Sequence, residues 1–236
     1  MKPPNVTSVL LVGLQDSHKS SFLMQGAVHY AEQGHTIIYI TANEFDSLPL
    51  PIQGMTRPTP DVFSLIKFLY LPCWQDLLQH VYSLHLHALV PTVIIVDSLE
   101  HFCAAPDRSD VYEPSSRASE ASHAALVCAA LLDGTAVCAK RSKGQAHLIV
   151  SLNQDSSDPK MSPLIDIYFT DVVWMFEKAS ANRNSSGDTG DYSMTNLETT
   201  GSSVKHYNIS FSPEQSVGAV VVNKISFWQK IQGAPP

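Results

Sequence analysis

Apolar positions in this chain alternate between short unbroken runs and longer stretches at helical spacing, a pattern that predicts an α/β fold. Val6 to Val12 is a near-continuous apolar run, as expected of a strand buried on both faces of a parallel sheet. Phe22, Leu23, Ala27, Tyr30 and Ala31 then recur at helical spacing within Lys19 to Gln33, and Gly34 supplies a C-terminal stop. Thr36 to Thr41 reads as a second strand, which completes a βαβ unit.

Residues 46 to 60 hold four prolines and a glycine and predict an irregular connection. Ile66 to Leu71 follows as a strand, then a helix from about Trp74 to His87 with Leu77, Leu78, Val81, Leu84 and Leu86 on its apolar face. Thr92 to Val96 is a further buried strand, finished by Asp97-Ser98. A polar surface loop is expected at 104–120, an Ala-rich helix over Ser119 to Leu132, and a basic turn at Lys140-Arg141-Ser142-Lys143-Gly144. His147 to Leu152, closed by Asn153-Gln154, and Val172 to Glu177 are strands. Ala181 to Ser203 is rich in Ser, Thr, Asn and Gly and reads as a mobile insertion. Lys205 to Phe211 and Val217 to Ile225 predict a terminal hairpin across Pro213 to Ser216. No internal repeat is visible. One domain over 6–228 is expected, with mobile insertions at about 104–120 and 180–203.

Composition adds limits. The 236 residues, 44% hydrophobic and 16% charged, suit one α/β domain with a filled core. A net charge of −7 argues against nucleic-acid binding over the whole surface, so any such contact has to be a local patch or come from a partner. The four cysteines, Cys73, Cys103, Cys128 and Cys138, form no C-x-x-C pair and read as reduced thiols of an intracellular protein. The N-terminal apolar run is too short for a signal peptide, and no apolar run approaches a membrane span, so a protein of the cytosol or nucleus is expected.

The chemistry centres on the end of the first strand. Gly13, Lys19 and Ser20 fit the phosphate-loop pattern G-x-x-x-x-G-K-[ST], with His18 in place of the second glycine. In such a loop successive backbone N–H groups cradle phosphates, the lysine reaches the terminal ones and the hydroxyl ligates Mg²⁺. Gly13, Leu14, Gln15, Asp16, Ser17, His18, Lys19, Ser20 and Ser21 are thus the candidate nucleotide-binding residues. The same string also describes a plain strand, turn and helix start. Val93-Ile94-Ile95-Val96-Asp97 separates the two readings, because a magnesium-linked carboxylate should end a neighbouring parallel strand. Ser20 and Asp97 are the candidate metal residues.

Val-Ile-Ile-Val-Asp-Ser resembles the second nucleotide motif of RecA-type recombinases. The strand order, the Asn153-Gln154 strand ending and the terminal hairpin also resemble a RecA core. Ile66 to Tyr70 with Pro72, the Leu-rich helix ending near His85, and Ile95 to Glu100 are similar to the small recombinase paralogues that pair with a SWIM zinc-finger protein in metazoan Shu-type complexes. The resemblance spans residue 6 to about 228 and is weakest at 104–120 and 180–203. It implies a RecA-like P-loop core with ATP and Mg²⁺ as cofactors. It further implies a nuclear protein paired with a SWIM zinc-finger partner, which binds single-stranded DNA and acts on recombinase filaments in homologous recombination.

The resemblance also assigns roles. Glu44 lies near the position of the recombinases' water-activating glutamate, about one residue late; otherwise it is a surface carboxylate, and Glu100 is a weaker alternative base. Gln154 either senses the γ-phosphate or caps its strand. Lys140, Arg141 and Lys143 are the local candidates for DNA contact, or a solvated turn. Phe102-Cys103-Ala104-Ala105 matches the F-x-x-A docking string of recombinase partners, or buries Phe102 in the core. His80, His85 and His87 lack the i, i+4 spacing of a helical zinc pair, and no metal beyond magnesium is expected. Three functions fit: an ATPase subunit of a mediator complex, a non-hydrolysing adaptor of the same fold, or a small-molecule kinase. The last should carry an Arg-rich lid, whereas 104–120 holds only Arg108 and Arg117.

Overall fold

The apolar runs pair into one sheet. The computed structural model describes residues 3–49, 52, 58–104, 116–154, 162–178, 192–196, 205–212 and 219–222. Its strands are β1 (Val6–Gly13), β2 (Ile37–Thr41), β3 (Ile66–Tyr70), β4 (Val93–Val96), β5 (Ala146–Asn153), β6 (Val172–Lys178), β7 (Tyr192–Asn196), β8 (Lys205–Ser212) and β9 (Ala219–Val222). They lie in the order β3-β2-β4-β5-β1-β6-β7-β8-β9. The stretch from β3 to β6 is parallel, and β7, β8 and β9 continue it antiparallel. The helices are α1 (Lys19–Glu32), α2 (Pro60–Ser64), α3 (Trp74–Ser83), α4 (Leu99–Cys103), α5 (Ser116–Ser142) and α6 (Ser162–Tyr168).

The strands' side-chain alternation assigns the two faces. Val9, Leu11, Ile37, Tyr39, Val93, Ile95 and Ile149 point to the face covered by α1, where they meet Phe22, Leu23, Ala27, Tyr30 and Ala31. Leu10, Val12, Ile38, Ile40, Ile94, Val96, Leu148 and Val150 point the other way, toward Leu77 and Val81 of α3, Leu99 and Phe102 of α4, and Val127, Cys128 and Leu131 of α5. Strands covered on both faces need apolar residues at every position, which is why their sequences run unbroken.

Several elements depart from the sequence reading. The helix expected to reach His87 ends at Ser83 and tightens into a 3-10 turn over Leu84–Leu86. The connection at 46–60 gives way to α2 at Pro60, where Thr59 caps the helix with its side chain. Residues 116–120 belong to α5 rather than to a loop, and α5 runs on through Lys140 and Arg141 instead of stopping at Leu132. Past Leu132 it packs closely on α3: a β-carbon on Gly134 would collide with Val81 Cγ1, so the glycine lets the two helices approach. By length and composition Ala121–Ser142 would also suffice to cross a membrane, contrary to the expectation that no run comes near a span. Half of its most apolar window is buried, as befits a helix lying along a sheet.

The insertion expected at 180–203 contains β7, which pairs with β6 and β8 and buries Met194. The expected hairpin is present as β8 and β9. Residues 105–115, 179–191, 197–204 and 213–218 lie outside the described residues, and with them the expected turn across Pro213 to Ser216. The four cysteines are free thiols.

Candidate nucleotide site

β1 lies between β5 and β6, with Gly13 in register with Asn153 on one side and Phe176 on the other. At Gly13 the chain leaves the sheet at the carboxyl ends of the parallel strands, where open α/β sheets bind ligands. The loop closes through Leu14, whose carbonyl accepts from Ser17 N–H at 3.2 Å and from Ser17 Oγ at 2.7 Å. α1 then starts at Lys19; Ser21 N–H turns back to the His18 carbonyl at 3.0 Å, which leaves the Lys19 and Ser20 N–H groups at the helix start without an acceptor earlier in the helix and available to an anion.

Lys19 is 3% exposed. Its ammonium donates to Gly13 O at 3.0 Å, to Ser17 Oγ at 2.8 Å and to the Leu14 carbonyl. Burial lowers its pKa to about 8, against the opposing pull of Glu100, Asp97 and Asp16. Burial thus disfavours the charged form, and an anion bound beside the ammonium would favour it.

His18 accounts for the glycine that the motif prefers. It adopts φ 56° and ψ 24°, in the left-handed region where a β-carbon is strained. The imidazole is half-buried, and that burial lowers its pKa, partly offset by Asp16, while Lys19 adds to the lowering. Beside the loop is a cleft of about 410 Å³ bounded by Gln15, Asp16, His18, Lys19, Ser20 and Ser21 on one side. Phe45, Ser47, Leu48 and Pro49 bound it on the other.

Asp97 follows the last residue of β4 and is buried. Tyr39 OH donates to its Oδ2 at 2.9 Å and Ser151 Oγ to its Oδ1 at 2.6 Å. Burial, then the charge and hydrogen bond of Asp97, hold the Tyr39 phenol well above its ordinary pKa. Ser151 Oγ in turn accepts Ser98 N–H at 2.8 Å, and Ser98 is itself left-handed at φ 63°. Each Asp97 oxygen keeps acceptor capacity after these bonds. Asp97 and the Ser20 hydroxyl are the hard-oxygen donors that could hold Mg²⁺, bridged through water. The sequence does not single out Tyr39 or Ser151. No motif marks them, since each meets Asp97 across more than 50 residues of chain.

Glu100, on α4, reaches across to β5. Its Oε2 accepts Asn153 N–H at 2.9 Å and its Oε1 accepts Asn153 Nδ2 at 2.5 Å. Burial raises its pKa, while the Asn153 bonds, a bond from its own main-chain N–H and the Lys19 charge oppose that rise. Gln154 N–H donates to Gly13 O at 3.1 Å, so the strand end adjoins the loop. Glu44 is exposed after β2 and does not line the cleft.

Lys140, Arg141 and Lys143 cluster at the opposite, amino edge of the sheet, because α5 ends just before β5 begins. Lys140 and Arg141 lie in the last turn of α5, whereas Lys143 is in the turn that follows it, as expected, at φ 55°. Arg141 donates to the carbonyls of His85 and, at 3.4 Å, His87, which ties α5 to the 3-10 turn. Lys140 and Lys143 border a second cleft of about 390 Å³ with Pro3, Pro4 and Asn5. Phe102 is fully buried, so its ring is inside the core, and Ala105 lies outside the described residues. The His80 and His87 rings are 5.3 Å apart. Among the described residues no group of three or more His, Cys, Asp or Glu is placed to hold a metal.

No protein-family model matches the chain, and no curated protein matches it in sequence. Its fold does match solved structures. One is a DnaB-like replicative helicase, from a study of its interactions with primase, at TM-score 0.55 and 9% identity, covering 91% of this chain and 58% of the helicase chain. The chain thus spans little more than half of that helicase. Another is a separately solved ATPase domain, at TM-score 0.55 and 8% identity, covering 93% of this chain and 85% of that one. The chain has the RecA-like fold of these ATPase domains: a mostly parallel α/β sheet flanked by helices.

Proposed function

We propose that this chain is an ATP-binding RecA-fold subunit of a recombination-mediator complex, nuclear and paired with a SWIM zinc-finger protein of the Shu type. In that role it binds single-stranded DNA and supports recombinase filaments in homologous recombination repair. The observation that carries the nucleotide part is the buried Lys19 ammonium, held in the loop after β1 and subject to the charges of Glu100 and Asp97. ATP provides the phosphates for the loop, and Mg²⁺ neutralises their charge beside Ser20 and Asp97. The sequence resemblance supports the partner, filament and nuclear parts.

For DNA, Arg141 is committed to backbone carbonyls, so contact falls on Lys140 and Lys143. Each phosphate contact contributes about −0.7 to the slope of log affinity against log salt for a single strand. Neutralising both lysines should therefore flatten that slope by about 1.4. A second reading, a non-hydrolysing adaptor, draws support from the exposed Glu44 and the strained His18.

The deciding experiment is a thermal melt of the purified protein with Mg-ATP. A ligand at roughly 100 times its dissociation constant stabilises the native state by about 2.7 kcal/mol, which is several degrees of Tm here. Wild type should shift and Lys19→Ala should not. The absence of a shift at millimolar Mg-ATP refutes nucleotide binding. Co-purification of a SWIM zinc-finger protein tests the partner, and its absence from the native complex removes the mediator reading.

A further inference from the structure

Glu44, at the place where the recombinase resemblance looks for a water-activating carboxylate, faces solvent and lies outside the cleft lining. Glu100 is likewise outside that lining, but it is half-buried against the strand that flanks the loop. It starts from α4, directly after the Asp97 strand end, and is fixed from two directions by Asn153, through the main-chain N–H at 2.9 Å and Nδ2 at 2.5 Å. Asn153 is in register with Gly13, so this carboxylate sits one strand away from the start of the phosphate loop. Its charge also acts on the Lys19 ammonium more strongly than those of Asp97 and Asp16. In a phosphate loop that ammonium marks the terminal phosphates.

We propose that Glu100 is the catalytic carboxylate of this site, the group that takes the proton from the water attacking the γ-phosphate of ATP. The proposal rests on the nucleotide reading above. The water oxygen forms a bond to the γ-phosphorus as one of its protons passes to Glu100. The bond from the γ-phosphorus to the β–γ bridging oxygen breaks, and its electron pair leaves with ADP. The products are ADP, hydrogen phosphate and a protonated Glu100, which then releases its proton to solvent.

Two properties fit Glu100 for this role. A carboxylate has about four lone-pair positions; Asn153 takes one on each oxygen and the main-chain N–H of Glu100 itself takes another, which leaves one to accept a water proton. The two Asn153 donors also fix the group in place before reaction, the preorganisation on which such a step depends. Burial raises the affinity of Glu100 for a proton, which improves a base that would otherwise be weak at neutral pH.

The test compares phosphate release and fluorescent-ATP binding, with Mg²⁺, for the full chain with its native partner. Wild type should turn over. Glu100→Gln should lose at least about 100-fold in kcat with nucleotide affinity changed less than about threefold, and Glu44→Gln should match wild type. Turnover preserved in Glu100→Gln overturns the proposal, as does a wild type that binds Mg-ATP without hydrolysing it. Loss of binding together with turnover also overturns it, because Glu100 would then hold the site together rather than act in it. If Glu100→Gln gives no cooperative melt, Glu100→Asp decides: turnover down more than about tenfold with binding kept supports the role, and unchanged turnover refutes it. A wild type that binds no nucleotide refutes the nucleotide reading first, in the binding arm alone.

Discussion

Gly13 and Phe176 face each other in register on adjacent parallel strands, so close that a β-carbon on Gly13 would lie 2.6 Å from Phe176 Cβ and 2.7 Å from its carbonyl oxygen. Both atoms are fixed to the β6 backbone and cannot rotate aside. Ser17 Oγ is a third neighbour at 3.0 Å, so the same glycine lets the loop fold back over the strand end.

Gly13→Ala should therefore force β1 from β6 and displace the loop. Overpacking of this kind costs about 1–3 kcal/mol, or roughly 3–10 °C of Tm for a chain of this size. Thermal melts check this. An unchanged Tm would mean that the strands can separate at little cost.

At His18 the expected order of stability is Gly above Ala. Both Ala and His carry a β-carbon into the left-handed region at φ 56°, a strain of about 1 kcal/mol that glycine escapes. His18→Gly should also bind Mg-ATP more tightly than wild type. Urea denaturation and nucleotide titration of the two variants test this, and weaker ATP binding by His18→Gly would refute it.

Tyr39→Phe removes one of the two hydroxyl donors that hold the Asp97 carboxylate. A hydrogen bond to a charged group contributes about 1.5–3 kcal/mol, so a loss of about that size is expected in denaturant unfolding, with weaker Mg²⁺ dependence of nucleotide binding. A variant with wild-type stability would show that Ser151 alone holds Asp97.

Stability should fall as the medium is acidified from pH 6.5 toward 4. Burial, with a smaller effect from His35, lowers the His147 pKa from 6.5 to about 4. Its Nδ1 has no hydrogen-bond partner, and its ring lies 4.8 Å from that of Tyr30. The unfolded chain therefore binds a proton throughout that window that the folded chain refuses. The stability is complete above about 6.5 and is lost on the way down, by about 3 kcal/mol in all. His147→Phe should flatten this part of the curve in urea titrations at successive pH values. A parallel curve would assign the acid sensitivity to other groups.

The first half of the sheet is legible because its signals are local. A run from Val6 to Val12 leads into a loop pattern, and Val93 to Val96 leads into Asp97, so strand, motif and strand end can be read without knowing the fold. What escapes is set by contacts distant in sequence. β7 holds Tyr192 and Met194 among Ser, Thr and Asn, a composition that reads as a loop; it is a strand because β6 and β8 offer it hydrogen bonds on both sides. The pattern of α5 stops short at Leu132 because Asp133, Lys140 and Arg141 interrupt its apolar positions, although none of them breaks a helix. At the site, Lys19, Ser20 and Asp97 can be read from a motif, whereas Tyr39, Ser151 and the Glu100–Asn153 pair meet only after the sheet assembles.

The contacts of Lys19 bear on which nucleotides the loop selects. Its ammonium already has three oxygen partners of its own, from Gly13, Leu14 and Ser17, so phosphate enters as a competitor for an occupied donor. A nucleotide too short to reach the ammonium leaves that internal complex intact and gains only base and sugar contacts. Affinity along the series AMP, ADP, ATP should thus rise in a step, at the chain length where an external oxygen first displaces one of the protein's own.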